Sequence, residues 1–140
     1  MDTIKRVFCV EDDKDIVTIM RRLLEKLGYQ MCGDADNTRD AVAAIEMSNP
    51  DVVLVDITLN GELDGLDIGN YLVSKTDIPF IYLTGHADPE ILKKAEKTIP
   101  NGFLRKPFNH QQLKDALDIA LNVKPTGVLV DEYAYKKSEV

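Results

Sequence analysis

VLVDITLNGELDG, residues 53–65, carries an apolar run straight into an aspartate and then into a loop with two glycines and two more acids. A short continuous apolar run bounded by turn residues reads as a buried strand, of the kind found in a parallel sheet. Ending such a strand on a charge costs desolvation unless the charge has partners. Asp56 therefore needs a reason to stand where it does.

The segments on either side repeat the theme. KRVFCV (5–10), YQMCGDA (29–35), DVVLVD (51–56), IPFIYLT (78–84) and NGFLRK (101–106) are short runs rich in β-branched, aromatic or other apolar residues. Longer helical patterns separate them. Ile16, Ile19, Met20, Leu23, Leu24 and Leu27 recur at three- and four-residue spacing, with Gly28 as a stop. Ala41, Val42 and Ile45 mark a second helix, and Ile68, Tyr71 and Leu72 a third. In DPEILKKAEK, Asp88 can cap and Pro89 can take the first helical position. Leu113, Ala116, Leu117, Ala120 and Leu121 mark the last helix, where Asn109 and Gln112 can form a capping box and Phe108 can staple onto Leu113. Five strands alternating with five helices predict an α/β fold, (βα)5, with a doubly wound parallel sheet covered on both faces.

Bulk composition limits what such a domain can do. At 140 residues and 44% hydrophobic, the chain supports one compact domain. Its 17 basic and 24 acidic residues give a net charge of −7 with no basic cluster, so no direct nucleic-acid contact is expected. No apolar run approaches the roughly 20 residues that span a bilayer, and MDTIKRVFCV lacks the features of a signal peptide, so no membrane partner and a cytoplasmic location are expected. Cys9 and Cys32 sit in apolar segments and read as free core thiols.

In an open α/β sheet, ligands bind outside the carboxyl ends of the strands. Here the first strand ends in Glu11, Asp12 and Asp13, the third in Asp56, the fourth in Thr84 and the fifth in Lys106 followed by Pro107. Carboxylates about 4 Å apart repel by roughly 4 kcal/mol per pair at an effective dielectric near 20, so the cluster calls for a shared cation or proton. Oxygen-only ligands point to a hard divalent ion, and Mg2+ fits best because it uses few carboxylates and completes its shell with water and phosphate oxygens. With Lys106 as a point charge and Thr84 as a hydroxyl donor, the set describes a carboxylate nucleophile poised for phosphoryl transfer.

VEDD (10–13), LVD (54–56), LTG (83–85) and FLRKPF (103–108) follow in order and at intervals that resemble the receiver domain of two-component response regulators, over residues 5 to 122. The resemblance implies the flavodoxin-like strand order 2-1-3-4-5. It implies that Asp56 is the phosphoacceptor, that Lys106 contacts the phosphoryl group before a cis proline, and that Asp12, Asp56 and the backbone carbonyl of Thr58 hold Mg2+, with Glu11 acting through water. It also implies that Thr84 and Phe103 shift on activation and that Thr58, His86 and Gly85 tune the phosphoryl lifetime. The implied partner is a sensor histidine kinase or phosphotransfer protein. A homodimer or downstream protein is expected to use the face formed by residues 88–122. Such a domain is a phosphoacceptor, not an enzyme acting on a separate substrate.

Three features depart from the common receiver pattern. The acidic pair is Glu-Asp rather than Asp-Asp, Gly85 replaces a more frequent alanine and should widen access, and the loop NGELDG is one residue longer, with Asn60 where proline is common. That loop is expected to give a looser lead into the third helix.

Each residue taken singly also has a plainer role. A strand-end acid can cap a turn or helix, Lys106 can be solvated, and Phe103 can be core. Their convergence on one rim favours the joint reading. A non-phosphorylated pseudo-receiver acting as an interaction module is the alternative, although the acids, the threonine and the lysine are all present. A haloacid-dehalogenase-like phosphatase would resemble D-x-D-x-T, and here Thr58 stands at the second acid's place. A nucleotide or flavin module would need a glycine-rich phosphate loop where VEDDKD stands.

The expected receiver spans 1–123, with 124–140 a tail or the start of a linker. KPTG breaks the last helix, and VLVDEYAY alternates without a wholly apolar side, which suits a sheet edge or partner surface. A stand-alone receiver and a fragment of a larger protein are both compatible with this pattern.

Overall fold

A computed structural model describes residues 4–62, 64–85 and 88–122 of the chain. Strand and helix alternate throughout: β1 (Arg6–Val10), α1 (Lys14–Lys26), β2 (Gln30–Ala35), α2 (Thr38–Ser48), β3 (Val52–Asp56), α3 (Gly65–Lys75), β4 (Phe80–Thr84), α4 (Pro89–Glu96), β5 (Gly102–Arg105) and α5 (His110–Ala120). The five strands pair in parallel in the order β2-β1-β3-β4-β5. This is the doubly wound (βα)5 sheet expected from the alternation.

The apolar runs are continuous because the central strands are covered on both faces; every residue of β3 and β4 is buried. Side chains alternate along a strand, so each run feeds two cores. Phe8, Val53, Val55, Phe80 and Tyr82 pack with Ala41, Ile45, Ile68 and Leu72 of α2 and α3. Val7, Cys9, Leu54, Ile81 and Leu83 pack on the other side with Met20, Leu24, Leu113 and Leu117 of α1 and α5. Each fully buried aliphatic side chain contributes about 1.5–3 kcal/mol. Cys9 and Cys32 are free thiols, buried and half-buried respectively.

Local signals set the helix ends. Asp13 caps α1 by accepting the N–H groups of Asp15 and Ile16. Asp88 accepts from Glu90 N–H with Pro89 at the start of α4. Asn109 and Gln112 form the expected capping box on α5, and Phe108 packs against the core that contains Leu113.

The apolar stripe of α1 is rotated from the expected one. Val17, Met20 and Leu24 face the core, whereas Ile19 is 57% exposed. Val17, Met20 and Leu24 lie three and four residues apart and form the narrow stripe that the sheet covers; Ile16, Ile19 and Leu23 flank it and line an open apolar groove with Pro107 and Phe108. Residues 124–140 and His86, named above as tail and lifetime-tuning position, lie outside the described residues.

Candidate functional site

The site lies where the strand order reverses, between the carboxyl ends of β1 and β3, the place that doubly wound sheets leave open for ligands. Glu11 and Asp12 follow β1, and the chain is held there by Glu11 N–H donating to the Ala35 carbonyl at 3.0 Å. Asp56 ends β3. One carboxylate oxygen from each of Glu11, Asp12 and Asp56 lies within 4.8 Å of the others. Asp13, the third acid of the run, is occupied as the α1 cap.

Lys106 reaches into this cluster from the loop after β5. Its Nζ donates to Asp56 Oδ2 at 2.7 Å and to Glu11 Oε1 at 3.1 Å. The backbone N–H of Lys106 donates to the Thr84 carbonyl at 2.8 Å, which ties the lysine to the end of β4, and the following Lys106–Pro107 bond is cis. The other oxygen of Asp56, Oδ1, accepts the Thr58 N–H at 3.0 Å. Asp56 and Thr84 are 7% and 3% exposed, so both sit in the rim wall rather than above it.

The electrostatics follow from the crowding. Burial pushes Glu11 up to about 8, and the hydrogen bond to Asp56 and the Asp56 charge act in the same direction, against Lys106. Burial pulls Lys106 down, but its bonds to Asp56 and Glu11 and their charges outweigh it and the net shift is upward. The arrangement thus holds one ammonium between two carboxylates and leaves a dense set of oxygens for a hard cation. The donor set fits Mg2+: its ligands are all oxygen, and none is histidine or thiolate.

Phe103 stands on β5 directly across from Tyr82 of β4, 38% exposed, with ring centroids 5.8 Å apart. Tyr82 is wholly buried, and its hydroxyl lies 2.5 Å from Thr98 Oγ1 just after α4. A Cβ on Gly85 would meet no atom within 4 Å, so the space beside Thr84 is open.

The first part of the loop after β3 is a defined turn, while Asp64 at the start of α3 makes no side-chain capping bond. Leu59 and Glu62 exchange both backbone hydrogen bonds, at 2.8 and 2.9 Å, around Asn60 and Gly61, whose φ angles are +54° and +81°. This is the two-residue reversal that Asn-Gly favours, because both positions need positive φ. Its tip is tied to the site: Asn60 N–H donates to Asp12 Oδ2 at 2.8 Å, and Asn60 Nδ2 donates to the Asp36 carbonyl at 3.2 Å. The Asn-Gly pair was the signal that could have revealed this turn. Gly65, also passed over, opens α3 against the end of β3; a Cβ there would overlap the Asp56 carbonyl oxygen and lie 2.7 Å from Ile57 Cα.

Comparisons with known proteins agree with this geometry. The response regulator receiver domain family matches residues 7–118. Transcriptional regulatory protein PdtaR of Mycobacterium tuberculosis is 28% identical over 118 residues, 84% of this chain and 57% of that protein. Chemotaxis protein CheY of Thermotoga maritima is 29% identical over 115 residues, 81% of this chain and 95% of that protein. The signal receiver domain of a modulated diguanylate cyclase from Desulfovibrio desulfuricans G20 superposes with a TM-score of 0.79 at 33% identity, covering 86% of this chain and 95% of that one. The chain spans about half the length of several curated relatives, such as YvrH of Bacillus subtilis at 45%. No helix among the described residues is long and apolar enough to cross a membrane. A strand-end acid cluster bridged by a lysine, on a sheet of this order, and a family match over most of the chain lead to one conclusion: this chain belongs to the response regulator receiver domain family of two-component systems.

Proposed function

We propose that Asp56 accepts a phosphoryl group from a histidine kinase or phosphotransfer protein and that the chain works as a phosphorylation-dependent switch. The observation that carries this reading is the placement of Asp56. It stands beside two acids able to share a cation, with an ammonium 2.7 Å from its own Oδ2. Asp12, Asp56 and the Thr58 carbonyl would hold Mg2+, with Glu11 through water. Bound by these residues, the ion would supply positive charge against the phosphoryl oxygens.

The residues of the chain do the rest. An Asp56 carboxylate oxygen attacks phosphorus as the P–N bond to the donor histidine breaks, and the electron pair leaves on the imidazole. Thr58 N–H fixes the carboxylate's orientation before attack. Lys106 moves its contact from the carboxylate to a phosphoryl oxygen, so the charge that forms is met by one already in place. The chain is a phosphoacceptor that promotes only its own phosphorylation and slow dephosphorylation. The presence and convergence of the acids, Thr84 and Lys106 favour this over a non-phosphorylated interaction module.

Intact-mass measurement with a small phosphodonor, with and without Mg2+, tests the reading. Wild type should gain one phosphoryl mass only with the metal, and Asp56→Asn should not. Equal gain by Asp56→Asn would remove the assignment.

A further inference from the structure

We infer that Asn60 is a positioning residue for the metal site: its backbone amide clamps Asp12 as a one-oxygen ligand and so favours Mg2+ over Ca2+. The inference rests on the proposed magnesium reading and concerns a residue to which that reading gives no role. Lys106 compensates Glu11 and Asp56. Asp12 is instead held by the turn tip, where Asn60 N–H donates to Oδ2 at 2.8 Å. The amide points there because Asn60 and Gly61 both have positive φ and the Leu59–Glu62 bonds close the turn beneath them. The Asn60 side chain pins the same tip to the Asp36 carbonyl, on the far side of the site from Asp56.

The consequence is chemical. Mg2+ demands a near-octahedral shell and takes single oxygens from carboxylates, whereas Ca2+ accepts six to eight ligands and often chelates both oxygens of one carboxylate. An amide on Oδ2 leaves Oδ1 of Asp12 for a cation and orients it before binding. Chelation through both oxygens would make Oδ2 serve the cation and the amide at once, which the fixed direction of the N–H disfavours. Hydrogen bonds to ligating carboxylates typically carry a 10- to 100-fold effect on metal affinity.

Calorimetric Mg2+ and Ca2+ titrations of wild type, Asn60→Gly, Asn60→Pro and Asp12→Ala test this. Glycine keeps the N–H and the positive φ and loses only the bond to Asp36, so it should bind Mg2+ within about 3-fold of wild type. Proline removes the donor and cannot adopt positive φ, so Mg2+ binding should weaken about 10-fold or more while Ca2+ binding falls less. If the proline variant binds Mg2+ as wild type does, or loses both ions equally, the clamp is overturned. If Asp12→Ala leaves Mg2+ affinity unchanged, the magnesium reading itself fails and takes the clamp with it; weakening in Asp12→Ala without weakening in Asn60→Pro overturns the clamp alone. Should the proline variant not fold, amide exchange in wild type decides. The Asn60 N–H should stay protected at saturating Mg2+, and exchange at the rate of a free amide overturns the inference.

Discussion

Lys106 and Asp56 form a 2.7 Å ion pair across the rim of the sheet, and the same ammonium lies 3.1 Å from the buried carboxylate of Glu11. Removing it leaves two acids uncompensated at the end of two core strands. Lys106→Met should destabilise the metal-free protein by about 1–3 kcal/mol, less than a fully buried pair because the lysine retains some exposure. Mg2+ should then stabilise the variant more than wild type, since the cation replaces the lost charge and binds only the folded state. Urea unfolding with and without Mg2+ measures both effects. Equal metal stabilisation of the two proteins would mean that lysine and cation do not share the cluster.

The state of Glu11 gives the site a pH dependence. Its folded value is raised from an ordinary 4.5 to about 8, with burial as the main cause. The folded state therefore holds this proton more tightly than the unfolded chain does. The resulting stabilisation is full below the ordinary value and is lost as pH rises through the folded one. A cation competes with that proton. Metal-free thermal stability should fall across neutral pH while Mg2+ affinity climbs, and Glu11→Gln should flatten both trends. Parallel pH profiles for wild type and Glu11→Gln would show that another group titrates.

A third expectation comes from close packing behind Phe103, around Tyr82. A Cβ on Gly69 of α3 would overlap the Tyr82 hydroxyl and lie 3.1 Å from Thr98 Oγ1. Glycine to alanine inside a helix ordinarily stabilises by roughly 0.5–1 kcal/mol. Here the sign should reverse, with Gly69→Ala costing about 1–3 kcal/mol through overpacking. Tyr82→Phe removes the obstructing oxygen. In a double-mutant cycle by denaturant unfolding, the alanine should therefore be better tolerated in the Tyr82→Phe background. Additivity of the two substitutions would show that Gly69 and the hydroxyl do not compete for space.

Much of this architecture was legible because parallel strands covered on both faces must read as continuous apolar runs, and β3 and β4 are buried at every position. The rim was legible too, since Glu11, Asp12, Asp56, Thr84 and Lys106 all fall at strand ends that the topology brings together. Features that depend on contact between distant segments were not. The Asn60 bond to Asp12 spans 48 positions of sequence, and the Gly69 approach to Tyr82 depends on a helix-to-sheet distance that no local pattern encodes. The exposure of Ile19 was missed for a related reason. Periodicity defines an apolar sector on α1, but the sheet decides which part of that sector it covers.

Phosphorylation of Asp56 would place new negative charge and acceptor oxygens beside Thr84, at the open end of β4. The Thr84 hydroxyl should be drawn toward them, which vacates space next to β5. Phe103 is the side chain placed to use it: it is partly exposed and already touches Tyr82 at 5.8 Å between centroids. Tyr82 in turn meets Thr98 through its hydroxyl, so a turn of the Phe103 ring presses on a side chain anchored at the end of α4. The face most affected should be residues 88–122, the proposed surface for a dimer or downstream partner. A differential interaction of a few kcal/mol suffices to shift such an equilibrium. Amide NMR shifts should therefore change across 88–122 in wild type when a phosphoryl mimic and Mg2+ are added, and much less in Thr84→Ala. Tyr82→Phe keeps the ring and loses the anchor, so it should retain the response near Phe103 while weakening it in α4. Equal responses in wild type and Thr84→Ala would show that the signal does not pass through Thr84. A full α4 response in Tyr82→Phe would remove the Thr98 contact from the route.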